Sequence, residues 1–401
     1  SIPGNYIKLL TDKGTWLVSW TKEDVTVDMV KEVVEKGDEV NILEWPTPKL
    51  HEKDGGRYIG PWHGIVTKDP ETGWVNVGMY RLMIHDEKRL GTLFLPTQHW
   101  GIIGQKEYAR GEKVPVAIIL GAEPVVPMTA GVPFPVGVCE YDIAGGLKGA
   151  PVKLVKCETV DLEVPANAEI VIEGYMNLDP STFVPEGPFG EYTGYYGGRA
   201  SRPVIEVTCV LHRHDPILQV GQIGIPPRDI DILSAVGISA NLWDLLESAG
   251  IPGITGVWTP PQASWTLLFV SVDQKFYGHT RSIAATIWGS PLAAMVGKYL
   301  VVTDSDIDIY DLGKVVQAIA YRTDPPKDLI IFPDAIGSPL DPSIPPEIKA
   351  RLGRGGRWNR VLIDATIPFD WPEREEWEGR KYPPMVKSSE AAVKKVRERW
   401  K

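Results

Sequence analysis

Two glutamates lie close together in a stretch rich in glycine, proline and aromatic residues. The stretch is VPEGPFGEYTGYYGG, Val184 to Gly198, and its carboxylates belong to Glu186 and Glu191. Glycine and proline disfavour both a helix and a strand interior, so the sequence predicts an ordered loop. Two carboxylates held among apolar rings should split in pKa, so that one stays ionised and the other can deliver a proton. A solvated acidic pair in a turn is the alternative.

Arg81 lies among apolar neighbours in NVGMYRLMIHD, Asn76 to Asp86, a stretch typical of a strand. A buried arginine needs a carboxylate partner, and Glu186 is a candidate. An arginine at a strand edge in water is the alternative. On a straight strand Asn76 and Arg81 point to opposite faces, so Gly78 must bend the chain if both serve one site.

Three side chains of different types could bind a divalent metal ion. Asn76 offers a carbonyl oxygen, His99 follows a strand in LPTQHWG, and Glu140 opens a predicted helix in VCEYDIAGG. An amide oxygen, an imidazole and a carboxylate together suit Mn²⁺ or Mg²⁺. Their spacings match no local metal motif. A turn residue, a structural histidine and a carboxylate favoured by a helix dipole are therefore the alternatives.

Four arginines are concentrated in RLGRGGRWNRVLID, namely Arg351, Arg354, Arg357 and Arg360. Arginine and glycine together suit a phosphate group, because guanidinium groups and backbone N–H groups both donate to its oxygens. A flexible basic loop at a subunit contact is the alternative.

Composition limits the class of protein. The length of 401 residues favours two or three domains, and 43% hydrophobic with 23% charged residues is ordinary for a soluble globular protein. A formal net charge of −10 argues against a nucleic-acid partner. Three scattered cysteines without a CxxC pair predict free thiols in a reducing compartment, the cytoplasm. The apolar stretches predict neither a membrane span nor a signal peptide.

The chain divides into four segments by pattern. Residues 1–57 are a short first segment, in which VDMVKEVVEKG has helical spacing and a glycine stop. Residues 58–224 contain short strands with turns and one helix near Trp100 to Arg110, which is typical of an antiparallel barrel or sandwich. Strands and helices alternate over 225–375 and predict an α/β unit. Residues 376–401 end in a charged helix, SSEAAVKKVRERWK, that could pack on a second subunit.

Together these stretches resemble the UbiD family of decarboxylases from about Pro46 onward. The most specific marker is EGPFGEYTGYYG, and the Asn76-to-Arg81 strand, the Gln98–His99 pair and Glu140 after GVPFPVGVC agree with it. The stretches LVKCETVDLEVPANAEIVIEGYM and RVLIDATIP also resemble family sequence. The resemblance implies an α+β fold: a split β-barrel of flavin-reductase type, an α/β flank, and a C-terminal helix that swaps across a homodimer or higher homo-oligomer.

The resemblance also implies a cofactor, prenylated FMN, made by a flavin prenyltransferase. Asn76, His99 and Glu140 would hold Mn²⁺ or Mg²⁺, which grips the flavin phosphate, and a K⁺ ion is expected nearby. The residues expected to bind the cofactor are Asn76, Val77, Gly78, Met79, Tyr80, Arg81, Gln98, His99, Glu140 and Arg360, the last of them at the phosphate.

The implied reaction is non-oxidative, reversible decarboxylation of an unsaturated or (hetero)aromatic acid. Glu191 would protonate the carbon that CO₂ leaves, Arg81 would orient the substrate carboxylate, and Glu186 would hold Arg81. The residues that could line a flat apolar pocket are Tyr192, Ile223, Ile225 and one of the tryptophans. Arg228 could meet a second acidic group, or it could start a helix as a solvated residue.

The sequence departs from the family pattern at its start, because the resemblance implies a longer segment before PTPKLHEKDGG than residues 1–45 provide. A shortened first domain is therefore expected. Two other functions remain open: a flavin oxidoreductase using ordinary FMN, and a non-catalytic subunit of a decarboxylase complex. The oxidoreductase function is disfavoured because the sequence has no GxGxxG dinucleotide fingerprint. The non-catalytic function is disfavoured because the six candidate metal-binding and catalytic residues are all present: Asn76, Arg81, His99, Glu140, Glu186 and Glu191.

Overall fold

The computed structural model of the chain describes residues 29–351, 356–386 and 388–400. The first part of the predicted short segment, residues 1–28, lies outside these ranges. Within them the chain forms two large sheets, one antiparallel and one mixed, with helices packed against both.

The first half of the chain supplies the antiparallel sheet, two-stranded ribbons and three helices. The strands are β1 (Val33–Lys36), β2 (Gly64–Lys68), β3 (Val75–Gly78), β4 (Leu82–Asp86), β5 (Arg89–Thr92), β6 (Val114–Leu120), β7 (Leu154–Lys156), β8 (Glu163–Pro165), β9 (Ile170–Asn177), β10 (Val184–Glu186), β11 (Phe189–Gly190), β12 (Tyr196–Gly197), β13 (Ala200–Arg202) and β14 (Val204–His212). The helices are α1 (His99–Ala109), α2 (Val125–Ala130) and α3 (Glu140–Lys148).

The antiparallel sheet curls until its two ends approach each other. Its strand order is β3-β2-β6-β9-β14-β5-β4, with β1 paired to β14. A flat sheet would put the two end strands about 29 Å apart. Yet β3 ends at Gly78 and β4 begins at Leu82, so the chain can separate them there by at most about 15 Å. Within the described residues no ladder joins β3 to β4, and the sheet forms an open, split barrel.

Strand alternation gives this sheet two apolar faces. On β6, Val116 and Ile118 face a core that also contains Trp100 of α1, while Ala117 and Ile119 face a second core. The second core is covered by α2 and α3, which contribute side chains such as Tyr141. Because both faces are buried, β6 has an almost continuous apolar sequence.

The second half of the chain supplies the other sheet and the remaining helices. The strands are β15 (Ile254–Trp258), β16 (Leu267–Val272), β17 (Tyr299–Asp304), β18 (Leu329–Gly337) and β19 (Gly356–Ala365). The helices are α4 (Asp229–Ser248), α5 (His279–Trp288), α6 (Leu312–Arg322), α7 (Pro325–Asp328), α8 (Pro346–Arg351) and α9 (Glu390–Arg399). The sheet order is β15-β16-β17-β19-β18, with a parallel centre and antiparallel edges.

The predicted fold class is confirmed, and two local predictions are wrong. The strand predicted over Asn76 to Asp86 is interrupted at residues 79–81, between β3 and β4. The helix predicted over VDMVKEVVEKG is not formed in its described part, which is a short 3₁₀ turn, Met29–Lys31, followed by strand β1. Val33 and Val34 pair with His212 and Leu211 at the edge of β14. Pairing with this open sheet edge overrides a weak local helical pattern.

Candidate active site

Arg81 lies between Glu186 and Glu191 and bonds to both. Its Nε and Nη2 donate to the two carboxylate oxygens of Glu186 at 2.9 and 2.6 Å, and its Nη1 donates to Oε1 of Glu191. Glu186 is fully buried and Glu191 is 6% exposed. One guanidinium therefore partly neutralises two buried carboxylates, so the solvated-pair alternative is excluded for Glu186 and Glu191.

Burial and charge act in opposite directions on Glu191. Desolvation raises the pKa of its carboxyl group, and the Arg81 guanidinium lowers it by a smaller amount, so the pKa lies above the ordinary value. The proximity of the Glu186 carboxylate raises it further. A raised pKa favours the protonated form of this buried carboxyl group, which is the form that a general acid requires.

The bend that brings Arg81 to the glutamates comes after Gly78, where β3 ends. A β-carbon on Gly78 would lie 2.4 Å from the hydroxyl oxygen of Tyr80, so glycine leaves the space into which the Tyr80 ring folds back. That ring stacks on Trp100 with centroids 3.9 Å apart. Met79, Tyr80 and Arg81 thus leave the straight strand path, and the requirement stated from the sequence is met.

Contacts from Tyr58, Asp54 and Gly55 support the glutamate loop, and the sequence did not identify these three residues. Tyr58, fully buried, donates its hydroxyl hydrogen to Oε1 of Glu186 at 2.8 Å. Asp54 accepts from the Gly190 N–H at 2.8 Å, and the Gly55 N–H donates to the Pro188 carbonyl at 2.7 Å. The turn-forming residues in HEKDGG predict a turn there, but they do not predict its contacts with Pro188 and Gly190, which are distant in sequence.

Asn76, His99 and Glu140 also come together. The Asn76 Nδ2 donates to Oε1 of Glu140 at 2.9 Å and lies 3.4 Å from Nδ1 of His99. The Val77 N–H donates to the other Glu140 oxygen at 2.7 Å. His99 is the first residue of α1 and Glu140 the first of α3, so two helix N-termini meet the end of β3. Gln98 is the N-cap residue of α1.

This second cluster fits a cation. The Asn76 Oδ1 and the Gln98 Oε1 are buried acceptors without a hydrogen-bond partner. Glu140 is 3% exposed, and burial raises the pKa of its carboxyl group to about 8. Burial also lowers the pKa of His99, which favours the neutral imidazole that binds metals. In the described part of the chain no group of three His, Cys, Asp or Glu side chains is placed to hold a metal, so an amide oxygen is needed here.

Arg360 does not reach either cluster, and the predicted phosphate contact of this residue is not supported. It lies on β19 in the second sheet and is fully buried. Its guanidinium donates to the carbonyl oxygens of Val296, Gly297, Ala293 and Ile336. Both Nη groups donate to the backbone, whereas the buried Nε has no partner, and the Nη contacts tie β18 and the residues before β17 to β19. Of the other clustered arginines, Arg357 pairs with Asp334. The Arg351 side chain and Arg354 lie outside the described residues.

Arg228 is not a solvated residue at a helix start. It precedes α4 and its side chain is 8% exposed. Its Nε and Nη2 grip both oxygens of the buried Asp231 at 2.7 and 2.6 Å. Its Nη1 is buried and has no partner, so an acidic ligand group remains a candidate for that donor.

Sequence models of one family match most of the chain. The 3-octaprenyl-4-hydroxybenzoate carboxy-lyase Rift-related domain (UbiD) matches residues 22–226, and the corresponding C-terminal domain (UbiD_C) matches residues 231–365. A pyrrole-2-carboxylic acid decarboxylase of Pseudomonas aeruginosa is 37% identical over 348 residues, which are 84% of this chain and 68% of that protein.

Solved structures of the same class superpose over nearly the whole chain. The vanillic acid decarboxylase of Sedimentibacter hydroxybenzoicus, in a closed form, gives a TM-score of 0.85 at 29% identity and covers 99% of this chain and 81% of its own. The UbiD-class enzyme HmfF of Pelotomaculum thermopropionicum, solved with FMN, gives a TM-score of 0.81 at 31% identity and covers 98% and 82%. An evolved dimeric form of HmfF was solved with prenylated FMN.

The chain belongs to the UbiD family and is a carboxy-lyase. The predicted family and enzyme class are confirmed, and the oxidoreductase and non-catalytic alternatives are not favoured. Among the described residues, the helices are too short or too polar to cross a membrane.

Proposed function

We propose that this chain decarboxylates an unsaturated or (hetero)aromatic carboxylic acid without net oxidation, using prenylated FMN. The observation that carries the proposal is the buried pairing of Arg81 with both Glu186 and Glu191, five residues along the chain from Asn76 of a second buried cluster suited to a metal. The related decarboxylases act on aromatic or heteroaromatic acids, which supports the same substrate class here.

In the proposed reaction Glu191 is the general acid. Bound prenylated FMN supplies the electron sink for the carbanion-like carbon left when CO₂ departs. Glu191 gives its proton to that carbon and later regains one from solvent. Arg81, held by Glu186, orients the substrate carboxylate. Tyr58 holds Glu186 in turn, so the guanidinium keeps its position when Glu191 changes charge.

Asn76, His99 and Glu140 would hold Mn²⁺ or Mg²⁺ against the flavin phosphate. Two observations support this assignment: the unpartnered Asn76 Oδ1, and the two helix N-termini, whose free N–H groups favour an anion. Val77, Gly78, Met79 and Tyr80 link this cluster to Arg81 and would line the cofactor. Gln98, with its own free buried oxygen, is a candidate ligand for the expected K⁺.

The substrate would lie near the apolar cluster that joins the two halves of the chain. Tyr192 and Ile223 are buried there, and Trp265 packs against them, so a flat ring is a suitable substrate shape. Ile225 is 80% exposed and is a weaker pocket candidate. Because an enzyme accelerates both directions, carboxylation is expected when CO₂ is abundant.

We also propose a homodimer formed through α9. All residues of α9 are exposed, and Val393, Val396 and Trp400 follow one face of the helix. The edge strand β18 of the second sheet exposes Ile331 and Phe332. A second copy covering these apolar surfaces would remove them from water. Light scattering of Val396→Asp should report a smaller particle than Lys394→Asp, the charged-face control; equal sizes contradict the proposal.

A reducing compartment and a cofactor supplier complete the proposal. Cys139, Cys157 and Cys209 are free thiols, which agrees with a cytoplasmic location. A flavin prenyltransferase must provide the cofactor, because prenylated FMN is a modified flavin.

The test is production of the chain with and without a flavin prenyltransferase, followed by mass spectrometry of the released cofactor and a screen for CO₂ release. We expect prenylated FMN and bound Mn²⁺ with the prenyltransferase, and turnover of aromatic or acrylic acids. The Glu191→Gln variant should keep the cofactor and lose turnover by a factor of about 100 or more. Full activity with plain FMN and a nicotinamide donor would overturn the proposal.

A further inference from the structure

The residue that follows the candidate acid, Tyr192, is held by three separate segments of the second half of the chain. Its backbone carbonyl accepts from Nη2 of Arg228 at 3.1 Å. Its hydroxyl group donates to the Ser338 Oγ at 2.8 Å, just beyond β18. Its ring stacks on Trp265 with centroids 4.7 Å apart. Glu191 itself bonds, through its side chain, to Arg81 of the first half.

The contact with the Tyr192 carbonyl has its own support. Asp231 grips Arg228 through both oxygens, and the Ser264 hydroxyl lies 2.9 Å from Asp231 Oδ1 and 3.3 Å from the Tyr192 carbonyl. A hydroxyl group has one proton, and the shorter contact to a charged acceptor is the stronger. Ser264 therefore holds Asp231, Asp231 holds Arg228, and Arg228 holds the Tyr192 carbonyl.

Ser264 adopts a backbone conformation that serine disfavours, with φ at 48° and ψ at −123°. Glycine takes this conformation far more easily. The chain nevertheless has a residue with a hydroxyl group there, 3% exposed and bonded to the buried Asp231. The side chain at this position is needed for a contact that glycine could not make.

We infer that Arg228, Asp231, Ser264 and Ser338 form a latch through which the second half of the chain sets the position of Glu191. They are positioning residues for the acid, because the contacts that form the latch act on it through Tyr192; the free Arg228 Nη1 is not part of the latch. The inference rests on the proposed role of Glu191. Its physical basis is short range: one planar peptide bond joins Glu191 to Tyr192, so fixing the Tyr192 ring and carbonyl leaves few backbone torsions that can move the Glu191 α-carbon.

Two variants test the latch without leaving a buried charged side chain unpaired. Tyr192→Phe removes the bond to Ser338, and Ser264→Gly removes the hydroxyl group while relieving the backbone conformation. Arg228→Ala is less useful, because it would leave Asp231 buried and unpaired. The control is Ser271→Ala, which deletes a buried hydroxyl group on β16 whose partner is Thr255 and not a residue of the latch.

We expect kcat to fall by about threefold to tenfold in each latch variant, as for the loss of one hydrogen bond. KM should stay nearly unchanged in Ser264→Gly, because Ser264 is not part of the apolar cluster proposed to bind the substrate. Hydrogen exchange of peptides covering 189–197 should become faster, since the Glu191 and Gly194 amides are bonded within that loop. The melting temperature of Ser264→Gly should stay at or above that of the parent, so lower activity cannot be ascribed to unfolding.

A pH profile separates positioning from a structural role. Glu191 faces Arg81 and Glu186, and neither variant touches them. A looser loop admits water to Glu191, so the alkaline limb of the pH–kcat profile should move to lower pH. Unchanged exchange and an unchanged profile in both variants overturn the latch. If Glu191→Gln keeps full turnover, the proposed acid role fails instead, and the exchange measurement still decides whether the loop is latched.

Discussion

Arg81 and Glu186 form a two-point ion pair in which Nε and Nη2 meet the two carboxylate oxygens at 2.9 and 2.6 Å. The fork fixes the plane of the guanidinium, so the third nitrogen points at Glu191. One residue on the connection after β3 therefore organises two residues of a loop more than a hundred positions later.

Replacing Arg81 by methionine should destabilise the protein strongly. Glu186 and Glu191 would remain buried without a cation, which costs about 3–5 kcal/mol in the free energy of unfolding. Urea denaturation measures the loss. The matched control is Arg89→Met, which breaks an exposed pair with Asp86 and should change the free energy of unfolding by about 0.5 kcal/mol or less. Equal losses of unfolding free energy in both variants would mean that the buried network stabilises the protein no more than an exposed ion pair does.

The pH dependence of kcat should report Glu191. Burial raises the pKa of its carboxyl group above the ordinary 4.5, and a general acid must be protonated, so kcat should fall as pH rises through that raised value. The same shift makes the folded protein bind this proton more tightly, so its contribution to stability is also lost as pH rises. The pH profile of kcat reports groups that titrate in the enzyme–substrate complex, whereas the profile of kcat/KM also contains the titration of the free substrate carboxylate, so comparing the two separates Glu191 from the substrate. A kcat limb at or below 4.5 contradicts the expectation.

Replacing Glu140 by glutamine should separate metal binding from folding. Without metal, burial favours the protonated Glu140 carboxyl group, which an uncharged amide resembles, so Glu140→Gln should leave the metal-free protein about as stable. With Mn²⁺ at about 100 times its dissociation constant, the parent should gain about 2.7 kcal/mol and the variant almost nothing. Thermal shift with elemental analysis measures both. The control Asp142→Asn changes a carboxylate of the same helix outside the cluster, and an equal metal loss there would count against the assignment.

The packing of the 51–55 turn against the glutamate loop should be intolerant of added volume. A β-carbon on Gly55 would lie 2.1 Å from the Gly187 carbonyl oxygen, a backbone atom that cannot move aside easily. Gly55→Ala should therefore cost about 1–3 kcal/mol, as overpacking does, and should lower kcat with it. Gly198→Ala, in the same loop with nothing within 4 Å of its β-carbon, should be tolerated. A Gly55→Ala variant with the parent's urea midpoint would contradict this account.

Much of the fold followed from local pattern. Apolar alternation and turn residues predicted the strands of the curled sheet, and the alternation of strands and helices over 225–375 predicted the α/β unit that contains α4. Pattern failed at β1, where pairing with β14 decided the structure, and no local signal at 33–36 encodes a partner at 209–212. The family followed from EGPFGEYTGYYG and its companions, and the sequence comparisons confirm it.

By itself the sequence determined which chemical groups are available: two carboxylates in a rigid loop, one arginine after a glycine bend, and an amide, an imidazole and a carboxylate at three element ends. Only the tertiary structure decided which of them meet. In the folded chain Arg81 bonds to both glutamates, and Tyr58 donates to Glu186. Arg228 of the second half of the chain donates to the Tyr192 carbonyl, and the Arg360 guanidinium donates to backbone carbonyls. The reason is physical: local propensity depends on near neighbours, whereas buried charges and amides must find partners wherever the packed sheets place them.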